Sequence, residues 1–282
     1  MSIPSFLIQN AQHNDQWYFL AHYSPILQAQ IVDYGDSQNL YQETDLNDAQ
    51  DLSPMLITIE TTQLSMLIND IENGDVKGIF IAIEDSYPLT ELINQLRKRL
   101  FVQFDAGRKA IFHYQNPRIA SHFFGQSLKQ ETNAWMGTIK KIAWFDNAPW
   151  GNQQWNVIDN DNLNMSSDET TVWLLTDSQE KALMHTVDDR VIDYFFEHYP
   201  EHYSQPQDWC WCYDILSYAS LLNLEHIDDL KAMLALSFEF RTVAMTVLAH
   251  WHEQEIIETQ TLTLSHYQQQ LKQMQEQMIH GQ

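Results

Sequence analysis

Two histidines and a glutamate in "HYPEH", His198 to His202, have the H-x-x-E-H order in which a helix holds zinc through its histidines and uses the glutamate as base. Pro200 falls between them, and proline in a helix interior removes a backbone bond and clashes with the preceding turn. The segment is therefore expected to end a helix rather than hold a metal. In "HWH", His250 and His252 leave a helix on different sides and have no third ligand in reach of the pattern. Cys210 and Cys212 are two residues apart, too close for an unstrained disulfide and too few for a structural zinc site. They read as reduced, small apolar side chains. No G-x-S-x-G elbow occurs, and no Cys-His protease signature follows Cys210. Adjacent carboxylates at Glu84–Asp85 and Asp188–Asp189 diverge on a strand or helix, which suits solvated faces better than shared proton transfer. Of these pairs Glu84–Asp85 alone stands at a strand end, where α/β sites gather.

The stretch "AIFHYQNPRIASHFFGQSL", Ala110 to Leu128, concentrates two histidines, an asparagine and an arginine at one turn. His113 and Tyr114 alternate along a strand and face opposite sides. Asn116 is a natural helix N-cap and Pro117 suits the first helical position, so "QNPR" is accounted for as a strand-to-helix junction. Arg118 keeps a candidate binding role there.

Alternating elements must position these residues. "WYFLAHY", "PMLITIE", "GIFIAIED", "KAIFHYQ" and "IKKIAWFD" read as strands. Between them, "PILQAQIVDYG", "TTQLSMLINDIENG" with a Thr cap, "YPLTELINQLRKRLFVQF" and "PRIASHFFGQSL" read as helices. The expected N-terminal lobe, residues 1–150, is α/β with a mixed, partly parallel sheet. Residues 151–171, rich in Asn, Asp, Ser and Gln, have connector composition. Residues 172–282 read as an all-α lobe, with helices near 177–198, 207–222, 227–250 and 254–280. On the last of these, Leu264, Tyr267, Leu271, Met274 and Met278 form a short heptad stripe, suited to packing back on the lobe or to a partner helix.

The chain has 282 residues, 44% of them hydrophobic, with nine Trp and thirteen Phe, which fits globular packing or an adhesive binding surface. Only 8 Gly are present, and neither GxGxxG nor GxxxxGK[ST] occurs, so no cofactor is expected. A net charge of −23 disfavours nucleic acid and anionic membrane as partners. Nine of the fifteen Lys and Arg nevertheless fall between Arg97 and Lys141, against Asp105 and Glu131 alone, a local net of +7. That window is either a solvated face paired with the protein's own acidic half or a docking surface for an acidic partner. No signal peptide opens the chain and no apolar run reaches the length of a membrane span, so a cytoplasmic protein is expected.

The run from Gly78 to Phe124 resembles the central signature of the type VI secretion effector chaperones, also called adaptors. In that family a helix bearing "hLR..h.V", where h is apolar, precedes a polar turn and a strand ending "hhRhyDPRhh". Leu96-Arg97 and Phe101-Val102 match the helix, and Phe112, Tyr114, Pro117 and Arg118 match the strand and turn. "LSPMLITIE" resembles the family's "aPhLv.L" strand, while "LLTDSQEKAL" and "EHYP" resemble the opening and helix end of its C-terminal region. His113 stands where the family prefers arginine and Asn116 where it prefers aspartate. The resemblance spans most of residues 15 to 240.

What it implies is a non-catalytic cytoplasmic chaperone or adaptor, itself not exported. Such a protein binds the N-terminal region of a toxic effector and helps load it onto a VgrG-type spike or a PAAR-type tip. On this reading the partner-binding candidates are Arg97, Arg99 and Arg118 on the basic side, with Trp144 and Trp150 near the lobe junction, Trp144 being equally a core residue. Two rivals remain: an α/β-class hydrolase with Glu84, Asp85 or His113 at a strand end, and an acidic immunity or inhibitor protein.

Overall fold

The computed structural model describes residues 3–8, 15–60, 62–149, 151–162, 172–253 and 262–280. The first part of the chain runs α1 (Ser5–Ile8), β1 (Asp15–Ala21), α2 (Pro25–Tyr34), β2 (Gly35–Asn39), a 3-10 turn (Asn47–Leu52), β3 (Met55–Ile59), α3 (Leu64–Glu72) and β4 (Gly78–Glu84). It continues through α4 (Leu89–Arg99), β5 (Phe101–Gln103), β6 (Lys109–Ile111), α5 (Pro117–Gln126), α6 (Lys129–Met136), β7 (Lys141–Asp146), β8 (Gln154–Asp159) and β9 (Trp173–Leu174). Helices α7 (Asp177–His198), α8 (Pro206–Leu216), α9 (Ile227–Glu239), α10 (Ala244–Glu253) and α11 (Leu264–His280) complete it. An α/β region thus precedes a mostly helical one, as the sequence predicts. By internal packing the chain divides into Met1–Thr186 and Val187–Gln282, the division falling inside α7.

Six strands form one sheet in the order β2-β3-β1-β4-β7-β8, with every neighbouring pair antiparallel. The expected parallel pairing occurs, among the described residues, between β5 and β9 in a three-stranded sheet of order β6-β5-β9. Side-chain alternation sorts the large sheet's two faces. Tyr18, Leu20, Leu56, Ile79, Ile81, Ile142 and Trp144 face α4, α5 and α6 in one core, where Leu92, Leu96, Phe123 and Trp135 meet them. Phe19, Ile57, Phe80, Ala143 and Phe145 face the other way, against Leu27 and Tyr34 of α2 and Leu67, Ile68 and Ile71 of α3. The result is a helix–sheet–helix sandwich in which the central strands are apolar on both sides. Gly78 is required where β4 begins, opposite Ala21 at the end of β1: a Cβ there would lie 2.4 Å from the Phe19 ring and 2.5 Å from the Leu20 carbonyl oxygen.

Several local expectations are refined. The helix after β3 begins after Gln63, which forms no side-chain cap, so Thr does not cap it. The strand "KAIFHYQ" stops at Ile111; the Phe112 N–H adds one more bond, to the Leu100 carbonyl at 2.7 Å, and Phe112 and Tyr114 are buried in the core. Within 151–171, Gln154–Asp159 forms β8, an edge strand whose polar residues hid its alternation.

In the second unit, the span 227–250 is two helices bent by 118°. The chain leaves α9 at Phe240, and Arg241 then reaches the fully buried Asp208 at 2.6 Å while stacking over Trp211 and Phe238. Asp208 also accepts from the Ser204 and Gln205 N–H groups at the start of α8. These donors, with Arg241, hold its carboxyl down at about 2 against the opposing effect of burial. Of the heptad stripe on α11, Tyr267 and Leu271 are buried, and the Tyr267 hydroxyl meets the Ser237 hydroxyl at 2.8 Å. The helix packs back on α9 and α10, while Met278 and Ile279 in its last turn stay exposed. Among the described residues no single helix is long and apolar enough to cross a membrane.

Candidate partner-binding groove

Helix α4 ends in Arg97, Lys98 and Arg99, and its pitch sends them in different directions. Leu92, Gln95, Leu96 and Arg99 share the buried face, at spacings of three, four and seven from Leu92. Arg99 is accordingly 3% exposed. Its Nε donates to the Trp135 carbonyl at 3.0 Å, and its guanidinium lies 4.2 Å over the Trp173 ring. This cation joins α4 to α6 and β9 and takes no part in a basic surface.

Arg97 points outward into an open groove of about 540 Å³ between α4, the small sheet and the loop after β2. Lys98 and Lys109 supply further positive charge there, Glu43, Asp45 and Glu91 negative charge, and Phe101 an apolar side chain. Arg97 pairs with Glu43 at 2.7 Å and donates weakly to the Asn39 carbonyl at 3.4 Å. Its Nε is buried with no partner among the described residues. Glu43 is 73% exposed at its side chain and has φ of 62°, a conformation a non-glycine residue adopts at some cost. The groove therefore holds a cation with an unused donor, paired to a solvent-exposed carboxylate on a turn. Such a lining can recognise charged and amide groups of a polypeptide. It contains no histidine and no cysteine among its described residues.

The other candidates do not gather there. Asn116 caps α5 by accepting from the Arg118 N–H at 3.0 Å, and Pro117 opens the helix, so the junction forms as its sequence predicts. Arg118, half-buried at the second residue of α5, is not part of the groove lining. Trp144 is 2% exposed. Its indole donates to the Ser121 hydroxyl at 2.8 Å, which makes it a core residue of the sheet. Trp150 lies outside the described residues.

The residues weighed for hydrolysis are also apart. Asp15 of β1 pairs with Glu84 and Ala21 with Gly78, and the His22 N–H continues the ladder to Lys77. Glu84 and His22 thus stand at opposite ends of a seven-residue ladder, roughly 20 Å apart. His113 belongs to the His22 end, its ring centroid 6.0 Å from that of His22. The buried amide of Gln115 lies between them, its Nε2 3.2 Å from His22 Nδ1 and 3.4 Å from His113 Nδ1. Burial first, then His113 and Lys77, lower the His22 pKa to about 4. Among the described residues no group of three or more His, Cys, Asp and Glu is placed to hold a metal.

Sequence reasoning missed the acidic wall of the groove, because Glu43 and Glu91 are distant in the chain and isolated in their segments. The burial of Arg99 was readable from its place seven residues after Leu92.

Residues 15–134 match a family described as a domain of unknown function (DUF4123). No curated protein and no solved structure matched the chain.

Proposed function

We propose that this protein is a non-catalytic chaperone–adaptor of type VI secretion. It would hold the N-terminal region of a toxic effector in the cytoplasm and bring it to a VgrG-type spike or PAAR-type tip. The observation that carries this reading is the order and spacing of Leu96-Arg97, Phe101-Val102, Phe112, Tyr114 and Pro117-Arg118, all inside the matched segment. The geometry gives those motif residues a coherent division of labour. Leu96, Phe112, Tyr114 and Pro117 are buried and build the joint between α4, the small sheet and α5. Arg97 and Phe101 are the motif residues that line the groove. An open, zwitterionic channel of this kind suits a polypeptide segment better than a small substrate, whose sites enclose and bury most of their ligand.

The test is co-purification. A tagged chain expressed in its native host is expected to bring down, at physiological salt, a secreted effector encoded beside it. If no neighbouring effector is retained at physiological salt, the reading fails.

A further inference from the structure

The first 76 residues contain no lysine or arginine and eleven aspartates and glutamates. The fold places a group of exposed apolar side chains within this purely anionic segment. Helix α2, "PILQAQIVDY", is apolar around most of its circumference yet buries only Leu27 and Tyr34. A helix of that composition is normally enclosed. Here Val32 is 81% exposed and Ile26 49%, while Leu52 on the neighbouring 3-10 turn is 55% exposed. Two clefts run along the helix. One, of about 380 Å³, is lined by Leu27, Ile31 and Met55, with Gln50 and Asp51 among its polar residues. The other, of about 320 Å³, lies between Val32 and Met66, beside Asp33 and Glu60. Neither lining contains a cation, and among the described residues no ion pair reaches Asp33, Asp51 or Glu60.

We propose that the α2 face is a docking site for a basic amphipathic helix of a partner protein. The apolar side chains and clefts would take the partner's apolar stripe, and the unpaired carboxylates around them its flanking lysines and arginines. A helix is the occupant that fits because α2, as a helix, has its backbone groups paired internally and presents mainly side chains. An occupant must then pair its own backbone, which a helix does. This face is distinct from the Arg97 groove, whose lining mixes both signs of charge, and its existence does not depend on the adaptor reading.

The probe is a fluorescein-labelled peptide with two copies of Leu-Lys-Lys-Leu-Leu-Lys-Leu, followed by fluorescence anisotropy against the full chain. A control peptide has the same residues in an order with no helical face. The ordered peptide is expected to bind about tenfold more tightly than the control. V32D with L52D, both highly exposed positions, is expected to weaken it about tenfold, as is D33K with D51K, which also flattens the salt dependence. R97E with K98E is expected to leave it unchanged, which separates this site from the groove. Equal binding of the two peptides, or unchanged binding in both α2 variants, would overturn the proposal. So would a dimer in sedimentation velocity that V32D with L52D dissolves, because the occupant would then be a second copy of the chain.

Discussion

Arg97 and Arg99 are two residues apart and do different work. Arg99 carries its charge into the interior, where it satisfies the Trp135 carbonyl and stacks on Trp173. Replacing it by alanine leaves a buried acceptor unpaired and removes the stacked cation. R99A is expected to cost about 2–3 kcal/mol in urea unfolding. A loss below about 0.5 kcal/mol would mean that the guanidinium is more solvated than its position indicates. His22 offers a pH test at the same scale. Its pKa is lowered from 6.5 to about 4 in the folded chain, so the unfolded chain takes up the proton first. Its stabilising contribution is complete above pH 6.5 and is lost as pH falls from 6.5 to about 4, by roughly 3 kcal/mol at most. The urea midpoint is expected to fall more steeply across that window in the parent chain than in H22N. Parallel curves would remove His22 from the account.

At the scale of elements, the junction between β6 and α5 rests on one cap. N116A is expected to lower stability by about 1 kcal/mol, whereas N116D, the residue the resembled family prefers there, keeps a side-chain acceptor at the helix N-terminus and is expected to be within about 0.5 kcal/mol of the parent. Equal losses in both would show that the amide of Asn116, rather than its capping oxygen, matters. This junction was legible in the sequence because cap and proline act locally. So were β4, whose apolar run is continuous, and α7, whose bounds match the expected 177–198. What escaped was decided by distant contacts. Strand β2, "GDSQN", has no apolar signal and exists because β3 supplies a ladder for it. Helix α6, "KQETNAWM", is largely polar and is fixed by burying Trp135 and Met136. The break after α9 follows from the Arg241–Asp208 pair, whose members are 33 positions apart in the chain. The groove was half legible for the same reason: Arg97 lies in a recognisable motif, and Glu43 reaches it from a turn more than 50 residues earlier.

For the molecule as a whole, the uneven charge gives the first unit two surfaces of different character. The window from Arg97 to Lys141 is not uniformly basic at its surface, since Arg99 is buried, Lys140 pairs with Asp15, and Arg97 with Glu43. Along the groove, Lys98 and Lys109 have no ion pair among the described residues, and Arg97 keeps an unpartnered Nε beside its pair with Glu43. In the co-purification experiment, R97E with K98E is therefore expected to reduce effector capture at least about tenfold at low salt, with the circular dichroism spectrum unchanged. Unchanged capture would separate effector binding from the groove.

The strand order also has a kinetic consequence. β1 leaves the ribosome before its neighbours in the sheet, β3 and β4, which follow about 40 and 60 residues later. Until β3 emerges, Tyr18 and Phe19 have no ladder on either side, and until β4 emerges Trp17 and the second edge of β1 stay unpaired. A nascent chain held in that condition presents an unpaired aromatic strand to the cell, and interruption of synthesis between β1 and β4 would leave a fragment prone to aggregation.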